Sequence, residues 1–274
     1  MIAFPNAKIN LGLNIVSKRS DGFHNLESVF LPLKLADILE VIPKHHNDES
    51  SADFFQSGIP IDVDPEKNLV IKAYNLLKTD FDLPPVKIAL HKIIPFGSGL
   101  GGGSSDATSV VLMLDEIFQL NMTEQIMVSY LEKIGSDCPF FIRNNVSKVQ
   151  GRGELIRPFS LDLKGVYVVI VVPNISISTQ EAFRLIVPKT PKKSLKESLQ
   201  CLVEEWDTNV INDFEEVLFP IYPELKAIKD RLNNMGAVYA SLSGSGSAIY
   251  GLFASEIEVH EYFPGMFTWT ERFE

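Results

Sequence analysis

The sequence has little cysteine and no long apolar run. Cys138 and Cys201 are the only cysteines among 274 residues, and they form no Cys-x-x-Cys pair. A disulfide framework is therefore excluded, and we expect a protein of a reducing compartment. The longest purely apolar run, Val166–Val172, is far shorter than the roughly 20 residues that a membrane helix needs. We therefore expect no membrane partner.

Basic residues are also scarce. Lysine and arginine number 25 against 35 aspartates and glutamates, which leaves a formal net charge of −10 at pH 7. Because proteins that hold DNA or RNA through a general electrostatic field are usually basic, we expect no nucleic acid partner. Residues 1–8 contain no basic start followed by an apolar stretch, so we predict a cytoplasmic protein. We expect a monomer or a weak homodimer.

Hydrophobic periodicity predicts a mixture of strands and helices. Apolar residues alternate over Ile9–Ile15, which predicts a strand that places Lys8 beside Asn10 on the face away from the core. Similar patterns predict further strands at residues 23–33, 86–95, 166–172, 237–242 and 248–253. Helical spacing and stop signals predict helices at residues 69–78, 105–118, 123–134, 181–186 and 223–235.

Two polar segments interrupt this pattern. Residues 44–58, which include His45 and His46, and residues 189–196 predict exposed loops. A shift in composition near Arg157 predicts a boundary between a domain of residues 1–156 and a domain of residues 157–274.

Five glycines stand among the seven residues Gly97–Gly103, between a predicted strand and a predicted helix. Because glycine loses more conformational entropy on ordering than any other residue, a plain connector rarely carries so many. Without side chains, successive N–H groups can converge on a phosphate, and the start of the helix near Ser105 adds its positive dipole end. The pattern therefore predicts a phosphate-binding loop, with a flexible connector as the alternative.

Two other phosphate-binding motifs fit this loop less well. A P-loop ends in Gly-Lys-Ser or Gly-Lys-Thr, whereas no lysine occurs between Lys92 and Lys133. The glycines also match a dinucleotide fingerprint formally, but the acidic residue that this motif needs about 20 positions later would lie inside the predicted helix. A dehydrogenase is therefore the least favoured interpretation.

The stretch Pro95–Ala107 resembles the central phosphate-binding motif of the GHMP kinases, the superfamily of galactokinase, homoserine kinase and mevalonate kinase. Other segments resemble the branch of this superfamily that phosphorylates 4-diphosphocytidyl-2-C-methyl-D-erythritol. In chain order they are Ala7–Leu11, Arg19–His24, Gly135–Phe141, Gly151–Glu154 and Leu242–Ser247. The resemblance spans nearly the whole chain.

The resemblance implies an α+β, two-domain GHMP kinase fold with the active site in the interdomain cleft. It implies transfer of the γ-phosphoryl group of ATP, accompanied by Mg²⁺, to the 2-hydroxyl of the cytidylyl erythritol, a step of the methylerythritol phosphate route to isoprenoids. Alternatives are another GHMP kinase, of the mevalonate or homoserine type, and a catalytically silent GHMP-fold protein that binds a nucleotide or sugar.

The resemblance also implies two catalytic residues. Asp137 matches the family's catalytic aspartate, and a carboxylate there can accept the proton of the attacking hydroxyl. Lys8 matches the catalytic lysine, and a cation there can orient the aspartate and stabilise phosphate charge. Without the resemblance, Asp137 would be interpreted as a helix cap and Lys8 as a solvated strand residue.

The remaining implied site residues bind the two substrates. Those implied for ATP are Pro95, Phe96, Gly97, Ser98, Gly99, Leu100, Gly101, Gly102, Gly103, Ser104, Ser105, Asn68, Leu69 and Lys92. Those implied for the cytidylyl substrate are Asn10, Phe23, His24, Thr179 and Phe183, with Phe23 stacking on the base. Ser243–Ser247 is expected to support the phosphate loop, and no residue is assigned to a metal. Phe23 replaces the tyrosine frequent in the family, and Arg152 replaces an apolar residue.

Overall fold

A computed structural model describes residues 1–44, 52–61, 64–191 and 193–274. Its strands are β1 Ile2–Ala3, β2 Asn6–Lys18, β3 His24–Ala36, β4 Ile38–Pro43, β5 Ala52–Gly58, β6 Val86–Lys92, β7 Ser147–Gly151, β8 Leu155–Pro158, β9 Tyr167–Val172, β10 Tyr239–Leu242, β11 Ile249–Phe253 and β12 Phe267–Arg272. Its α-helices are α1 Leu69–Asp80, α2 Gly102–Phe118, α3 Glu124–Ile134, α4 Phe140–Arg143, α5 Thr179–Leu185, α6 Leu195–Leu199, α7 Trp206–Asn209, α8 Phe214–Leu218 and α9 Pro223–Asn234. The predicted α+β class is confirmed.

The chain divides into two compact units that alternate along the sequence. The first comprises residues 1–7, 32–96 and 101–145, and the second comprises residues 8–31, 97–100 and 146–274. A single boundary after residue 156 therefore does not describe these units. The physical reason is strand pairing, because residues 26–30 of β3 pair with residues 147–151 of β7 and so join an early segment to a late one.

The first unit contains a four-stranded sheet of order β1-β4-β6-β5. Val86, Ile88 and Leu90 alternate along β6 and are buried, since a period of two places them on one face of the strand. They share one apolar core with residues of β4, α1, α2 and α3. This core supports the strand that leads into the glycine loop and the helix that follows the loop.

The predicted loop at 44–58 is corrected by the structure. Residues 52–58 form β5, which pairs in parallel with β6 at the edge of the sheet. Most β5 side chains are exposed or half-buried, so backbone hydrogen bonding rather than apolar periodicity defines this strand. Residues 45–51, including His45 and His46, lie outside the described residues.

The second unit contains two sheets. One has the order β10-β11-β9-β12 with antiparallel neighbours, and the other has the order β2-β3-β7-β8. Residues 168–172 of β9 are all buried. Because both faces of this strand are covered, its sequence is a continuous apolar run instead of an alternation of apolar and polar residues. Apolar residues of β2, β9, β10, β11, α5, α8 and α9 form the core of this unit.

Most predicted elements are present, with boundaries displaced by a few residues. The helix α9 ends before Gly236, whose φ of +96° is the left-handed conformation that glycine adopts readily. The prediction of a loop over 189–196 is wrong for its last two residues, because α6 begins at Leu195 with Ser194 as its N-cap. The sequence patterns do not predict the strands β1, β4, β7, β8 and β12 or the short helices α4, α7 and α8. None of the helices described above combines the length and apolar content that crossing a bilayer requires.

Candidate active site

Lys8 lies on the face of β2 that the sequence predicts to be polar, yet its exposed fraction is only 2%. Its ammonium nitrogen donates to Asn10 Oδ1 at 2.7 Å and to the carbonyl oxygen of Gly99 at 3.0 Å. The same nitrogen lies 4.6 Å from the centre of the Phe30 ring. Because burial of a charge is costly without compensating contacts, these groups hold a cation beside the glycine loop within the second unit.

Asn10 is buried between Lys8 and a second polar group. Its side-chain nitrogen donates to Ser28 Oγ at 3.0 Å, and Ser28 Oγ donates to the carbonyl oxygen of Gly12 at 2.7 Å. The Tyr250 hydroxyl donates to the backbone carbonyl of Asn10 at 2.8 Å. These bonds orient the Asn10 amide oxygen toward the Lys8 ammonium. A direct contact between Asn10 and a substrate remains a prediction.

The first part of the glycine loop, residues 97–100, packs against the turn between β10 and β11. Ser243 Oγ donates to the carbonyl oxygen of Gly99 at 3.1 Å, and the Ala248 N–H donates to the carbonyl oxygen of Ser98 at 2.9 Å. Gly99 has a φ of +79°, and a Cβ at this position would lie 2.1 Å from the Ser243 carbonyl oxygen. The turn therefore supports the loop, and only glycine fits at this close approach.

The second part of the loop leads directly into α2 in the first unit. Gly101 adopts a φ of +74°, and α2 begins at Gly102, three residues before the predicted start at Ser105. A Cβ on Gly102 would lie 2.9 Å from the Ile94 side chain, so the absence of a side chain lets α2 start against the end of β6. The first N–H groups of a helix have no partner within it, and an anion can accept hydrogen bonds from them.

Asp137 follows α3 and is half-buried in the first unit. The Thr108 hydroxyl on α2 lies 2.8 Å from the Cys138 carbonyl oxygen and 2.8 Å from the Ser104 carbonyl oxygen, so its one proton is shared between them. The segment that carries Asp137 is therefore bonded to the first turns of α2. The next helix, α4, has Pro139 as its N-cap, so Asp137 does not occupy the capping position.

Cys138 is fully buried beside the predicted catalytic position. Burial raises the pKa of its thiol to about 12, which keeps the sulfur protonated and unreactive near neutral pH. Cys138 is therefore a small core residue of the first unit rather than a nucleophile.

Three residues predicted to bind ATP outside the glycine loop differ in their placement. Asn68 caps α1, since its Oδ1 accepts from the Val70 N–H at 3.0 Å. A Leu69 methyl carbon lies 3.7 Å from the position that a Cβ on Gly103 would occupy, so Leu69 borders the start of α2. Lys92, in contrast, is buried, and its ammonium contacts two carboxylates. That arrangement does not favour a direct contact between Lys92 and a nucleotide.

Two of the aromatic residues predicted for the cytidylyl substrate contact each other in the second unit. The His24 and Phe183 rings stack with centres 5.4 Å apart, and Phe183 also meets Phe214 edge to face. Phe23 is 54% exposed, and the Arg152 guanidinium carbon lies 5.1 Å from the centre of its ring. The structure therefore places an exposed aromatic ring and a cation side by side, with His24 held by Phe183.

Burial lowers the pKa of His24, and the positive charge of Lys18 lowers it further. The lowered pKa favours a neutral imidazole, which can both donate and accept a hydrogen bond.

Thr179 Oγ1 lies 3.0 Å from the Oγ of Ser245, a residue of the turn that supports the glycine loop. This bond connects the start of α5 to the turn between β10 and β11.

Several residues that position the site residues by hydrogen bonds carry no signal in the sequence. Ser28, Thr108 and Tyr250 act through hydrogen bonds to residues distant in sequence, and neither their spacing nor their residue type marks them. Lys8 belongs to the second unit and Asp137 to the first, so their joint action remains a prediction. Within the described residues, no group of three His, Cys, Asp or Glu side chains could hold a metal ion.

The sequence matches two domain families. Residues 68–145 match the GHMP kinases N terminal domain, and residues 186–262 match the GHMP kinases C terminal domain. A relative named 4-diphosphocytidyl-2-C-methyl-D-erythritol kinase from Bacteroides thetaiotaomicron is 49% identical over 93% of this chain and 93% of its own. A relative of the same name from Parabacteroides distasonis is 45% identical over 98% of both chains.

Solved structures agree with these matches. A crystal structure of 4-(cytidine 5'-diphospho)-2C-methyl-D-erythritol kinase superposes with a TM-score of 0.75 at 30% identity, covering 92% of this chain and 90% of that one. A mevalonate kinase of L. major, at 18% identity and a TM-score of 0.70 over 99% and 96% of the two chains, shows the shared fold alone. The chain therefore belongs to the GHMP kinases and, within them, to the family of 4-diphosphocytidyl-2-C-methyl-D-erythritol kinases.

Proposed function

We propose that this chain transfers the γ-phosphoryl group of ATP to the 2-hydroxyl of 4-diphosphocytidyl-2-C-methyl-D-erythritol, a step of the methylerythritol phosphate route to isoprenoids. The observation that carries the proposal is the 45–49% identity, over nearly the full length, to relatives named for this kinase. The geometry supports it, because a buried cation lies beside a glycine loop that continues into a helix start. A mevalonate or homoserine kinase is less favoured, since those acceptors have no base to stack on Phe23.

The proposed chemistry is a single in-line transfer. The acceptor's 2-hydroxyl oxygen bonds to the γ-phosphorus while the bond from that phosphorus to the bridging oxygen breaks, and ADP leaves. The Asp137 carboxylate takes the hydroxyl proton, which is commonly worth about 10²–10⁴ in rate. The Lys8 ammonium stabilises the charge on the transferring group, and the loop N–H groups hold the ADP phosphates.

We propose that Mg²⁺ enters with ATP. Phosphate oxygens are the hard donors that this ion prefers, and the Ser104 hydroxyl at the start of α2 is a donor of the same class. Beyond the small-molecule substrates, we propose no nucleic acid partner, a cytoplasmic location, and a monomer or weak homodimer.

The direct test is an assay that couples ADP release to a spectroscopic signal. The purified protein is given Mg-ATP with the cytidylyl erythritol, mevalonate, homoserine or galactose in separate reactions. We expect turnover with the cytidylyl erythritol at a kcat/KM at least about 100-fold above that of the other acceptors, because a site built around a base rejects compounds that lack one. Equal or greater turnover with mevalonate or homoserine would contradict the proposal.

The catalytic assignment is tested by Asp137→Asn. This variant keeps the size of the side chain but cannot accept the proton, so we expect kcat to fall by about 10²–10⁴ while the Kd for ATP measured by calorimetry stays unchanged. Asp162→Asn, an exposed aspartate in a loop of the second unit, serves as the matched control. A kcat near that of wild type would show that Asp137 is not the base.

A further inference from the structure

Three charged side chains are buried together at the end of β6, inside the first unit. Lys92 is 2% exposed, and its ammonium pairs with Asp37 and with Asp106, which are 0% and 2% exposed. The distance from Lys92 Nζ to Asp106 Oδ2 is 2.8 Å. Asp37 lies between β3 and β4, whereas Asp106 lies in α2. One ammonium therefore connects the end of β6 to the junction of β3 and β4 and to the first turns of α2.

Asp37 also fixes the backbone that leads into the glycine loop. Its Oδ1 accepts hydrogen bonds from the Ile93 N–H at 2.6 Å and from the Ile94 N–H at 2.9 Å. These two residues follow β6 directly. The carboxylate of Asp37 thus sets the direction in which the chain leaves the strand, while its other oxygen contacts Lys92.

Asp106 acts at the opposite end of the loop. It lies one turn into α2, where the helix begins with Gly102 against the Ile94 side chain. Its Oδ2 contacts Lys92, whereas its buried Oδ1 has no hydrogen-bond partner. A buried carboxylate oxygen without a partner reduces stability, so the Asp106 carboxylate is not explained by a gain in stability.

Buried ion pairs are in general weak contributors to stability, because the cost of dehydrating the charges offsets much of their attraction. They are, however, directional, and a lysine between two carboxylates permits few arrangements of the elements that carry them. Here those elements are the end of β6 and the first turns of α2, which flank the glycine loop on both sides.

We propose that Lys92, Asp37 and Asp106 form a buried positioning cluster that sets the separation between the end of β6 and the start of α2. The cluster thereby aligns the N–H groups of the loop with the phosphates of ATP. This inference rests on the proposed function, because it takes the loop to be the nucleotide site. It assigns Lys92 to positioning rather than to direct contact with ATP.

The test compares two substitutions of one residue. Asp106→Ala removes the connection to α2 but leaves Lys92 and Asp37 as a balanced pair, so the protein is expected to fold. Asp106→Asn keeps an oxygen that can accept from Lys92 Nζ. Asp53→Ala is the matched control, because Asp53 pairs with Lys44 in the same unit but on β5, away from the loop.

For Asp106→Ala, we expect the Kd for ATP, measured by calorimetry, to rise about tenfold or more, because small misplacement of binding groups has effects of this size. The KM for the acceptor is expected to stay within about twofold of wild type, and Asp106→Asn is expected to restore the Kd for ATP to within about threefold. Asp53→Ala should leave both constants unchanged. If Asp106 only stabilised the fold, Asp106→Ala would lower Tm without raising the Kd for ATP more than the KM for the acceptor.

An unchanged Kd for ATP in folded Asp106→Ala would overturn the inference. If Asp106→Ala does not fold, the triple variant Lys92→Met/Asp37→Asn/Asp106→Leu removes all three charges together, a change that proteins often tolerate. The amide oxygen at position 37 can still accept from the Ile93 and Ile94 N–H groups, and the same shift in Kd is expected. An incorrect proposed function would give a result that differs from an incorrect role of Asp106. In that case wild-type protein binds ATP but does not phosphorylate the cytidylyl erythritol, and the effect of Asp106→Ala on the Kd for ATP is still measurable.

Discussion

At the scale of the residue, burial decides the chemistry of Lys8. A lysine that alternates with apolar residues on a strand is normally solvated, but here β2 is buried on both faces over residues 7–13. Lys8 therefore depends on Asn10 and the Gly99 carbonyl for hydrogen bonds. Its ammonium is fixed in place rather than mobile in water, which is what stabilisation of a developing charge requires.

The exposed ring of Phe23 is predicted to stack on the base of the acceptor. Because stacking of a base on an aromatic ring is worth about 1–3 kcal/mol, we expect Phe23→Ala to raise the KM for the cytidylyl erythritol about tenfold. The KM for ATP should stay unchanged. Steady-state kinetics with each substrate varied in turn measure both constants.

Phe4→Ala removes another exposed phenylalanine, one that lies outside every predicted site, and serves as the control for Phe23→Ala. If the two Michaelis constants rise by the same factor in Phe23→Ala, the base does not stack on this ring.

The buried carboxyl of Asp106 is expected to make the stability of the protein depend on pH. Burial raises its pKa from the ordinary value of 3.8 to about 7, although the Lys92 charge acts in the opposite direction. Between these two values the folded protein binds more protons than the unfolded chain, so the stabilisation from this group is complete below about pH 4 and is lost as the pH rises through 7. We expect Asp106→Asn, which does not titrate, to remove this part of the slope of Tm against pH.

The measurement is thermal unfolding of wild type and Asp106→Asn at intervals from pH 4 to pH 8. Asp53→Asn should retain the wild-type slope, because the Asp53 side chain is partly exposed. Parallel curves for wild type and Asp106→Asn would show that the Asp106 carboxyl titrates alike in the folded and unfolded states.

At the scale of the element, the glycine loop combines glycines with different physical roles. Gly97 and Gly99 both have a positive φ, of +66° and +79°. A Cβ on Gly97 would contact nothing within 4 Å, whereas a Cβ on Gly99 would lie 2.1 Å from the Ser243 carbonyl oxygen. The sequence pattern does not distinguish the two glycines. They differ because only Gly99 lies against the turn between β10 and β11.

We therefore expect Gly97→Ala and Gly99→Ala to differ. Gly97→Ala should lower the free energy of unfolding by about 1–2 kcal/mol, the cost of a left-handed conformation for alanine. Gly99→Ala adds a collision with backbone, so a larger loss of stability and a weaker Kd for ATP are expected. Denaturant unfolding and calorimetry give both quantities, and equal effects of the two substitutions would contradict the close approach at Gly99.

At the scale of the whole molecule, the two units are assembled from alternating segments. The core of the second unit includes Leu13 and Ile15 from β2. The Leu13 N–H donates to the Ile211 carbonyl oxygen at 2.9 Å, and the Ile15 N–H donates to Asp213 Oδ2 at 2.6 Å. The later part of the chain therefore needs residues from the start of the sequence to complete its core.

We predict that residues 146–274, expressed alone, will not fold cooperatively. The fragment lacks the buried Leu13 and Ile15, and loss of even one large core side chain typically costs about 2–5 kcal/mol, a large share of the stability of a domain. Thermal unfolding followed by circular dichroism should show no sharp transition.

Co-expression of residues 146–274 with residues 1–145 should restore the transition, because together the two fragments contain every segment of both units. A sharp transition in the isolated fragment would show that its core does not need β2.

The sequence by itself determined the features that depend on neighbours along the chain. Strand and helix positions follow from periodicity, and the loop at Gly97–Gly103 follows from the freedom of glycine and the helix start behind it. The motifs around Lys8 and Asp137 were visible because residue type and order are enough to recognise them. All of these depend on interactions between residues that are close in sequence.

Only the tertiary structure decided which distant residues meet. Lys92 was predicted as a nucleotide contact, but it pairs with Asp37 and Asp106, which no spacing rule connects to it. The strand at 52–58 and the alternation of the two units likewise depend on pairing between segments far apart along the chain. Such pairings follow from the joint burial of many side chains and the satisfaction of buried polar groups, and these quantities are defined only once the chain has folded.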